Sequence, residues 1–525
     1  MPRAHVPLTA LVLLLSGCPN DVPTEGNFAG ADAASGADSA QLDAGASDLG
    51  GTDAAVADLA AAGDSLVADG SAVDTQPADA SVEVDGLVAD SPVGDSPGPD
   101  GAPVDTSMPD VGPADVAPVD GGCAKNGCKT NNLCETSTCQ PSGLCSIQAK
   151  SDGTLCGAGH TCYSGVCLPD PPKVFQVVSG GDTSCARLSD GTVRCWGFGH
   201  DGQLGNGQSG NGYKSATPVT VQGVGGALDV GCGSSHCCAV VTGGKVWCWG
   251  ANNLGQSSPS VAKTVQAKPV EVPGVTATLV VAGEAHSCAV VAGGKVKCWG
   301  LGTAGQLGDG NADLPGKVVD VKWSGYAMEL RAGKHFTCAR TAQSQVFCWG
   351  SNEYGQIGDG QGGTSKEADL PAQVSGLSQP SGLGAGAEHA CAVQKNGDVQ
   401  CWGRANNGQL GNGGQNISYA VPQLAAVGGV VQVSAGGTHT CAVLAGDTVS
   451  CWGANQRGQT GQSGQLIVKN PTVMNNFDAI AAVAAGSEHT CALDLNGQVW
   501  CWGANDLGQC GSGPKDQLPP KKLVF

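Results

Sequence analysis

A pair of cysteines ten residues apart, the second followed by Trp-Gly, recurs seven times along this chain. The pairs are Cys185 with Cys195, Cys238 with Cys248, Cys288 with Cys298, Cys338 with Cys348, Cys391 with Cys401, Cys441 with Cys451, and Cys491 with Cys501. The steps between successive pairs are 53, 50, 50, 53, 50 and 50 residues. Units of this length fill residues 173–525, and repetition at such a period implies a propeller, a solenoid or an array.

Within a unit the pattern is β. In Cys288-Ala-Val-Val-Ala-Gly-Gly-Lys-Val-Lys-Cys298 two short strands flank a Gly-rich turn, and equivalent turns hold Asp190-Gly191, Asn396-Gly397 and Asn496-Gly497. A period of two puts Cys288 opposite Cys298 on one face, so each pair is expected to be a cross-strand disulfide. Each closes a short loop and contributes about 2–3 kcal/mol. Trp196, Trp249, Trp299, Trp349, Trp402, Trp452 and Trp502 are the only bulky aromatics recurring in register, and are read as core between units. Gly205, Gly308 and Gly411 end a Gly-Gln-Leu-Gly turn, and Pro218, Pro269 and Pro422 mark edge strands, where proline is tolerated. A content of 84 glycines with only 4% aromatic residues suits a protein of many tight turns.

The combination Gly-x-x-His-x-Cys-Ala, then Gly-x-Val-x-Cys-Trp-Gly-x-Asn and Gly-Gln-Leu-Gly, resembles the regulator-of-chromosome-condensation repeat family over residues 173–525. The resemblance implies an all-β protein, a seven-bladed β-propeller of four-stranded blades. It also implies that the two ends of the domain pair to close the ring, with Val174–Val178 and Lys522–Phe525 available for that joint.

Six histidines, His236, His286, His335, His389, His439 and His489, are read as standing two residues before the first cysteine of a pair, where the first unit has Thr183. Equivalent copies in different units suit a structural imidazole better than a Cys-His dyad or a metal site, and a hydroxyl serving in one unit suits it further. No catalytic residue, metal ligand or cofactor site is assigned. Gly243-Gly244-Lys245 and Gly293-Gly294-Lys295 lack phosphate-loop spacing and are turns. Three further cysteines, Cys232, Cys237 and Cys510, fall outside the pairs. A local Cys232–Cys237 bridge leaves Cys510 free or cross-linked elsewhere, and a pairing swap between Cys237 and Cys238 is the alternative.

Ahead of the repeats the composition changes twice. Residues 123–170 form a cysteine-rich segment with Cys123, Cys128, Cys134, Cys139, Cys145, Cys156, Cys162 and Cys167 among few large apolar residues, so four disulfides are expected to replace a core. Zinc is disfavoured because close Cys-x-x-Cys pairs are absent. Residues 18–122 are rich in Ala, Asp, Gly and Pro. Of the 46 acidic residues, 21 lie in 19–122 with no Lys or Arg, many five apart, so no helical or strand face is built and a disordered acidic linker is expected. The chain's net charge of −20 is thus local, the rest is near neutral, and a nucleic-acid footprint has no support. Met1–Gly17 carries the apolar run Leu8–Leu15, which is too short to span a bilayer, and ends in Leu-Ser-Gly before Cys18. This resembles a bacterial lipoprotein signal, which implies cleavage after Gly17, lipid on Cys18, and an exported protein anchored by that lipid at the outer membrane or cell surface.

Taken together these features describe an envelope-anchored display device binding a protein or a glycan, with an enzyme acting on a polymer and a purely structural envelope protein as alternatives. Repeat positions hold the scaffold, so recognition is expected in the irregular loops 208–213 and 361–366, which coincide with the two long steps. The scarce aromatics off the ladder, Tyr213, Trp323, Tyr326, Tyr354 and Tyr419, are the candidate contacts.

Overall fold

The computed structural model describes residues 133–525 apart from short breaks at 141–144, 152–153, 158–159, 164–165, 170–171, 313–315, 363–366, 415–416, 476, 512 and 514. The expectations for Cys18, for the 18–122 linker, and for Cys123, Cys128 and loop residues 363–366 fall outside these residues.

Each repeat is a four-stranded antiparallel meander. The first comprises Val174–Ser179, Thr183–Leu188, Val193–Phe198 and Lys214–Thr220, paired in chain order. Six more follow the same plan. The second and third share one long strand, Val265–Ala282, whose two halves serve successive units. Short hairpins join the second and third strands; glycine takes the left-handed turn position in five of them, as Gly191 does at φ 77°, and Ser344 and Asp447 take it in the other two. The burial pattern explains the order of strands. The second strand is buried on both faces, as His236–Val241 is throughout, whereas the fourth is largely open and carries Pro218, Pro269 and Pro422.

The core lies between units and not within one. Seven similar clusters each combine one tryptophan with residues of the preceding unit, as Trp249 does with Cys185, Val193 and Leu204. All seven tryptophans are fully buried, and burying an indole contributes about 4–6 kcal/mol of transfer free energy.

The innermost turns form a second, polar ring. Backbone hydrogen bonds run from Gly181 N to Gly233 O (3.0 Å), Ser234 N to Gly283 O (3.2 Å), Glu284 N to Lys334 O (3.0 Å) and Lys334 N to Ala387 O (3.1 Å). They continue from Ala387 N to Gly436 O (3.0 Å) and Gly437 N to Gly486 O (3.0 Å), and Ser487 N returns to Gly181 O (2.8 Å). A side chain has no room here: a Cβ on Gly233 would lie 1.9 Å from Gly283 O. The ring surrounds a central channel of about 440 Å³.

Closure differs from the expectation that the chain ends pair. Val174–Ser179 pairs with Thr183–Leu188, while Gln517–Lys522 pairs with Val499–Gly503 and Leu523 N extends that register to Val499 O. Each unit takes all four strands from one continuous stretch, so no unit lacks a strand for the distant chain end to supply. The first and last units meet instead through packing of Val174, Val177 and Trp196 on Leu493, Leu523 and Phe525.

Among the described residues before the repeats, Glu135–Cys139 pairs with Cys145–Ala149, and Leu155–Gly157, His160–Tyr163 and Val166–Pro169 form a second small sheet. Cys134–Cys162 and Cys156–Cys167 are disulfides, and Cys139 stands opposite Cys145 in the strand register. Disulfides therefore run from this segment on through every repeat.

Candidate binding face

The repeated residues build one latch per joint. In each unit the two cysteines sit directly opposite and are bonded, with Cα atoms 4.0–4.1 Å apart. In the first three units Cys185 is bonded to Cys195, Cys238 to Cys248 and Cys288 to Cys298. In the last four Cys338 is bonded to Cys348, Cys391 to Cys401, Cys441 to Cys451 and Cys491 to Cys501. The second cysteine of each pair stands immediately before the tryptophan, so the bond fixes the hairpin that carries the indole. Each indole N–H donates to the glutamine carbonyl of the preceding Gly-Gln turn: Trp299 to Gln256 O (2.9 Å), Trp502 to Gln459 O (3.0 Å), and Trp196, across the closure, to Gln509 O (3.0 Å). Close approach of that turn explains its last glycine, since a Cβ on Gly308 would lie 2.8 Å from Trp349 Nε1.

Histidine adds the next layer. His236 Nε2 meets Ser287 Oγ of the following unit at 2.7 Å, His286 meets Thr337 (2.9 Å), His389 meets Thr440 (2.8 Å), His439 meets Thr490 (2.9 Å), and His489 meets Ser184 (2.7 Å). Ser287, Thr337, Thr440 and Thr490 in turn donate to the same glutamine carbonyls as the indoles. In these four the imidazole must then be the donor at Nε2, which leaves Nδ1 unprotonated. Burial holds the imidazoles neutral, with pKa lowered to about 3 for His236, His286, His389 and His439 and about 4 for His489.

His335 is a correction. It lies three residues before Cys338, and Phe336, fully buried, occupies the latch position of the fourth unit. His335 instead reaches Glu284 Oε2 at 2.8 Å on the channel rim. The following unit has Ala390 where the others have a hydroxyl, and after Thr183 of the first unit the corresponding residue is Cys237. Hydroxyls occur only where the preceding unit has a histidine, a pairwise signal present in the sequence.

On this frame the channel mouth carries residues that do not repeat. The position before the latch residue is Asp182, Ser235, Ala285, His335, Glu388, Thr438 and Glu488 in successive units. The loops after the third strands reach the same rim. Arg404 pairs with Glu388 and stacks on Tyr354 at 4.7 Å, while Arg457 binds Asp506 (2.9 Å), Asp516 (2.7 Å) and Glu488 (3.3 Å). Burial, then repulsion from Glu488 and Asp506, raises the pKa of Asp182. The Arg457 hydrogen bond holds Asp516 below its ordinary value.

The candidate aromatics separate. Tyr213 is committed to packing: its ring lies on the Leu204 cluster and its hydroxyl accepts from Asn206 Nδ2 (2.6 Å). Trp323 packs against Phe347 and Trp349, and Tyr419 lies against the cluster of Trp452. Tyr354 is on the rim, and Tyr326 is exposed (54%) beside Lys295. Cys232 and Cys237 form a disulfide, whereas Cys510 is a buried free thiol whose pKa burial pushes up.

A closed ring of four-stranded antiparallel sheets about a central channel is a β-propeller. Its sequence matches the RCC1-like domain over residues 151–425 and the regulator of chromosome condensation (RCC1) repeat over 430–459, 480–509, 448–493 and 496–524. The chain belongs to the RCC1-repeat family. The first of these matches begins inside the cysteine-rich segment. Curated relatives include the ultraviolet-B receptor UVR8 of Arabidopsis thaliana, 36% identical over 90 residues, covering 17% of this chain and 20% of that protein. They also include protein pim1 of Schizosaccharomyces pombe, 32% identical over 90 residues (15% and 17%), and the mitochondrial RCC1 domain-containing protein RUG3 of Arabidopsis thaliana, 32% over 101 residues (19% and 22%). The matched stretch thus spans about a fifth of each relative. Among solved structures, yeast RCC1 (Prp20) bound to Kap60 superposes with a TM-score of 0.57 at 20% identity, covering 66% of this chain and 85% of that one. Human WBSCR16 gives 0.56 at 20% identity, covering 63% and 93%.

These relatives correct the reading of the N-terminus. They are proteins of plants and yeast, one of them mitochondrial, and none is a bacterial lipoprotein. The lipid on Cys18, the signal peptide, the membrane anchor, the outer-membrane location and the envelope display function built on them are therefore withdrawn. The cue for that reading is four residues, Leu-Ser-Gly-Cys, far less specific than seven repeats in register. Among the described residues no helix is long and apolar enough to cross a membrane.

Proposed function

We propose that the chain is a non-catalytic protein-binding scaffold, a seven-bladed propeller that recognises its partner with the charged channel mouth. The observation that carries this reading is the contrast at one ring of positions. Gly, Trp and Gln repeat from unit to unit, while the position before the latch runs Asp182, Ser235, Ala285, His335, Glu388, Thr438 and Glu488. A scaffold position is constrained by packing, whereas an exposed position that differs in each unit presents an asymmetric surface. The ladder cysteines are consumed in disulfides and the latch histidines are buried and neutral, so neither set supplies a nucleophile or a base. Protein partners also fit the relatives: yeast RCC1 (Prp20) is solved bound to Kap60, and Prp20p is described by its binding to Gsp1p and histones.

Under this proposal residues 123–170 form a separate disulfide-stapled unit ahead of the propeller at 173–525. The irregular loop 208–213 and the loop that begins at Gln361, with Tyr354, border the recognition surface, whereas Tyr326 lies against the Gly294 hairpin at the other end of its blade. The test is affinity capture on immobilised full-length protein with its disulfides formed, followed by titration of the captured protein. Glu388→Ala with Glu488→Ala should weaken binding at least about tenfold, a change of roughly 1.4 kcal/mol. Binding unchanged by the rim substitutions and by shortening both loops would overturn the proposal.

A further inference from the structure

Among the described residues, one joint of the propeller carries a disulfide besides the ladder pairs. Cys237 occupies the position where Ser184, Ser287, Thr337, Thr440 and Thr490 supply the latch hydroxyl. Cys232 occupies the inner end of the first strand, where the other units have Ser179 or alanine, and it lines the central channel. The two are bonded to each other, with Cys232 partly exposed and Cys237 fully buried. Their disulfide rests against the ladder disulfide of the neighbouring unit: Cys185 Sγ is 3.4 Å from Cys232 Sγ and 3.8 Å from Cys237 Sγ. Two disulfides in van der Waals contact, one open to solvent, place a second bonded sulfur within reach of a thiolate released from the first.

We propose that Cys232–Cys237 is a thiol-exchange site, entered from the channel by a small-molecule thiol and relayed to Cys185–Cys195. The thiolate attacks Cys232 Sγ, forming a mixed disulfide and expelling Cys237 as a thiolate. Buried among apolar groups, that thiolate is poorly solvated and has Cys185 Sγ within reach. Its attack forms Cys185–Cys237, breaks Cys185–Cys195, and releases Cys195, which takes up a proton. A second small thiol then attacks the mixed disulfide, leaving as the oxidised dimer and returning Cys232 as a thiol. The balance is two small thiols oxidised to one disulfide, and two protein disulfides converted to one disulfide and two thiols. The product ties the first unit covalently to the second. The other six ladder disulfides have no second disulfide against them among the described residues.

The experiment uses the full oxidised chain, incubated folded with reduced glutathione, quenched with N-ethylmaleimide and mapped by peptide mass spectrometry. The expected result is a cross-linked peptide pair joining Cys185 to Cys237, with Cys195 and Cys232 alkylated about tenfold sooner than Cys248 or Cys298. Cys232→Ser with Cys237→Ser provides the second measurement, because serine already stands at the equivalent positions in Ser179 and Ser287. In that variant Cys185–Cys195 should resist glutathione as the other ladders do. Three results overturn the proposal: even alkylation across all ladders, reduction of Cys232–Cys237 without the Cys185–Cys237 product, or fast alkylation of Cys195 in the double-serine variant.

Discussion

Five joints of this propeller carry a histidine bonded to a hydroxyl of the next unit, and two do not. The joint after the first unit has Thr183 and Cys237, and the joint after the fourth has Phe336 and Ala390. These are also the joints crossed by the two 53-residue steps. At four of the histidine joints an imidazole, a hydroxyl, a carbonyl and an indole form one buried chain of hydrogen bonds, as at His286, Thr337, Gln306 and Trp349. At the Phe336 joint the same volume is apolar, and at the Thr183 joint the hydroxyl turns back to Phe198 O at 2.8 Å within its own unit. The difference teaches that the joint needs a filled, satisfied site and no particular chemistry. Polar and apolar solutions both work when both partners change together.

The largest effect should come from what the two kinds of joint share. Gly180→Ala at an unlatched joint and Gly233→Ala at a latched one would each drive a Cβ to about 2 Å from a neighbouring carbonyl oxygen (2.0 and 1.9 Å). Both should lose more than about 3 kcal/mol in denaturant unfolding with disulfides intact. A clear difference between them would show that the latch, and not the glycine ring, dominates.

Acid should separate the joints next. The latch imidazoles titrate at 6.5 in the unfolded chain and at about 3 to 4 in the folded one. Above 6.5 both states are neutral and the latches contribute in full. Below 6.5 the unfolded chain takes up protons that the folded chain refuses, so stability falls until the folded values are reached. The slope is at most about 1.4 kcal/mol per pH unit for each imidazole. His439→Phe with Thr490→Ala, which copies the fourth joint, should reduce proton uptake on unfolding between pH 6 and 4 by about one. An unchanged uptake would mean that His439 is charged when folded.

The smallest effect is a coupling. Phe336→His alone leaves an imidazole N–H facing Ala390 and should cost about 1–3 kcal/mol, and adding Ala390→Thr should recover at least about 1 kcal/mol. Additive costs in a double-mutant cycle would break the claim that the two positions act as a pair.

The repeat architecture was legible because its signals are periodic: Cys-Trp-Gly in register, hairpin glycines, and strands short enough to be bounded by turns. The latch was half legible. The histidines repeat visibly, but their partners lie 51 residues away in the next unit, and only a comparison of unit against unit reveals that hydroxyls follow histidines. His335 looks like a member of the series although it stands one residue early, and a two-residue pleat sends it to the opposite face. Closure by paired chain ends is implied by the resemblance alone, and no pattern in the strands carries it. Nothing in the local pattern distinguishes Tyr326, which is exposed, from Trp323, which packs on Trp349, because both lie in an irregular stretch without periodicity.

Because every sheet is drawn from one uninterrupted stretch, the contact between the last unit and the first is built from the same parts as the other histidine joints: Trp196 on Gln509, His489 on Ser184, Ser487 on Gly181. The closure is not a seam. A chain whose ends were fused and reopened between any two units would meet the same set of neighbours, so the ring is a cyclic word that can be read from any letter.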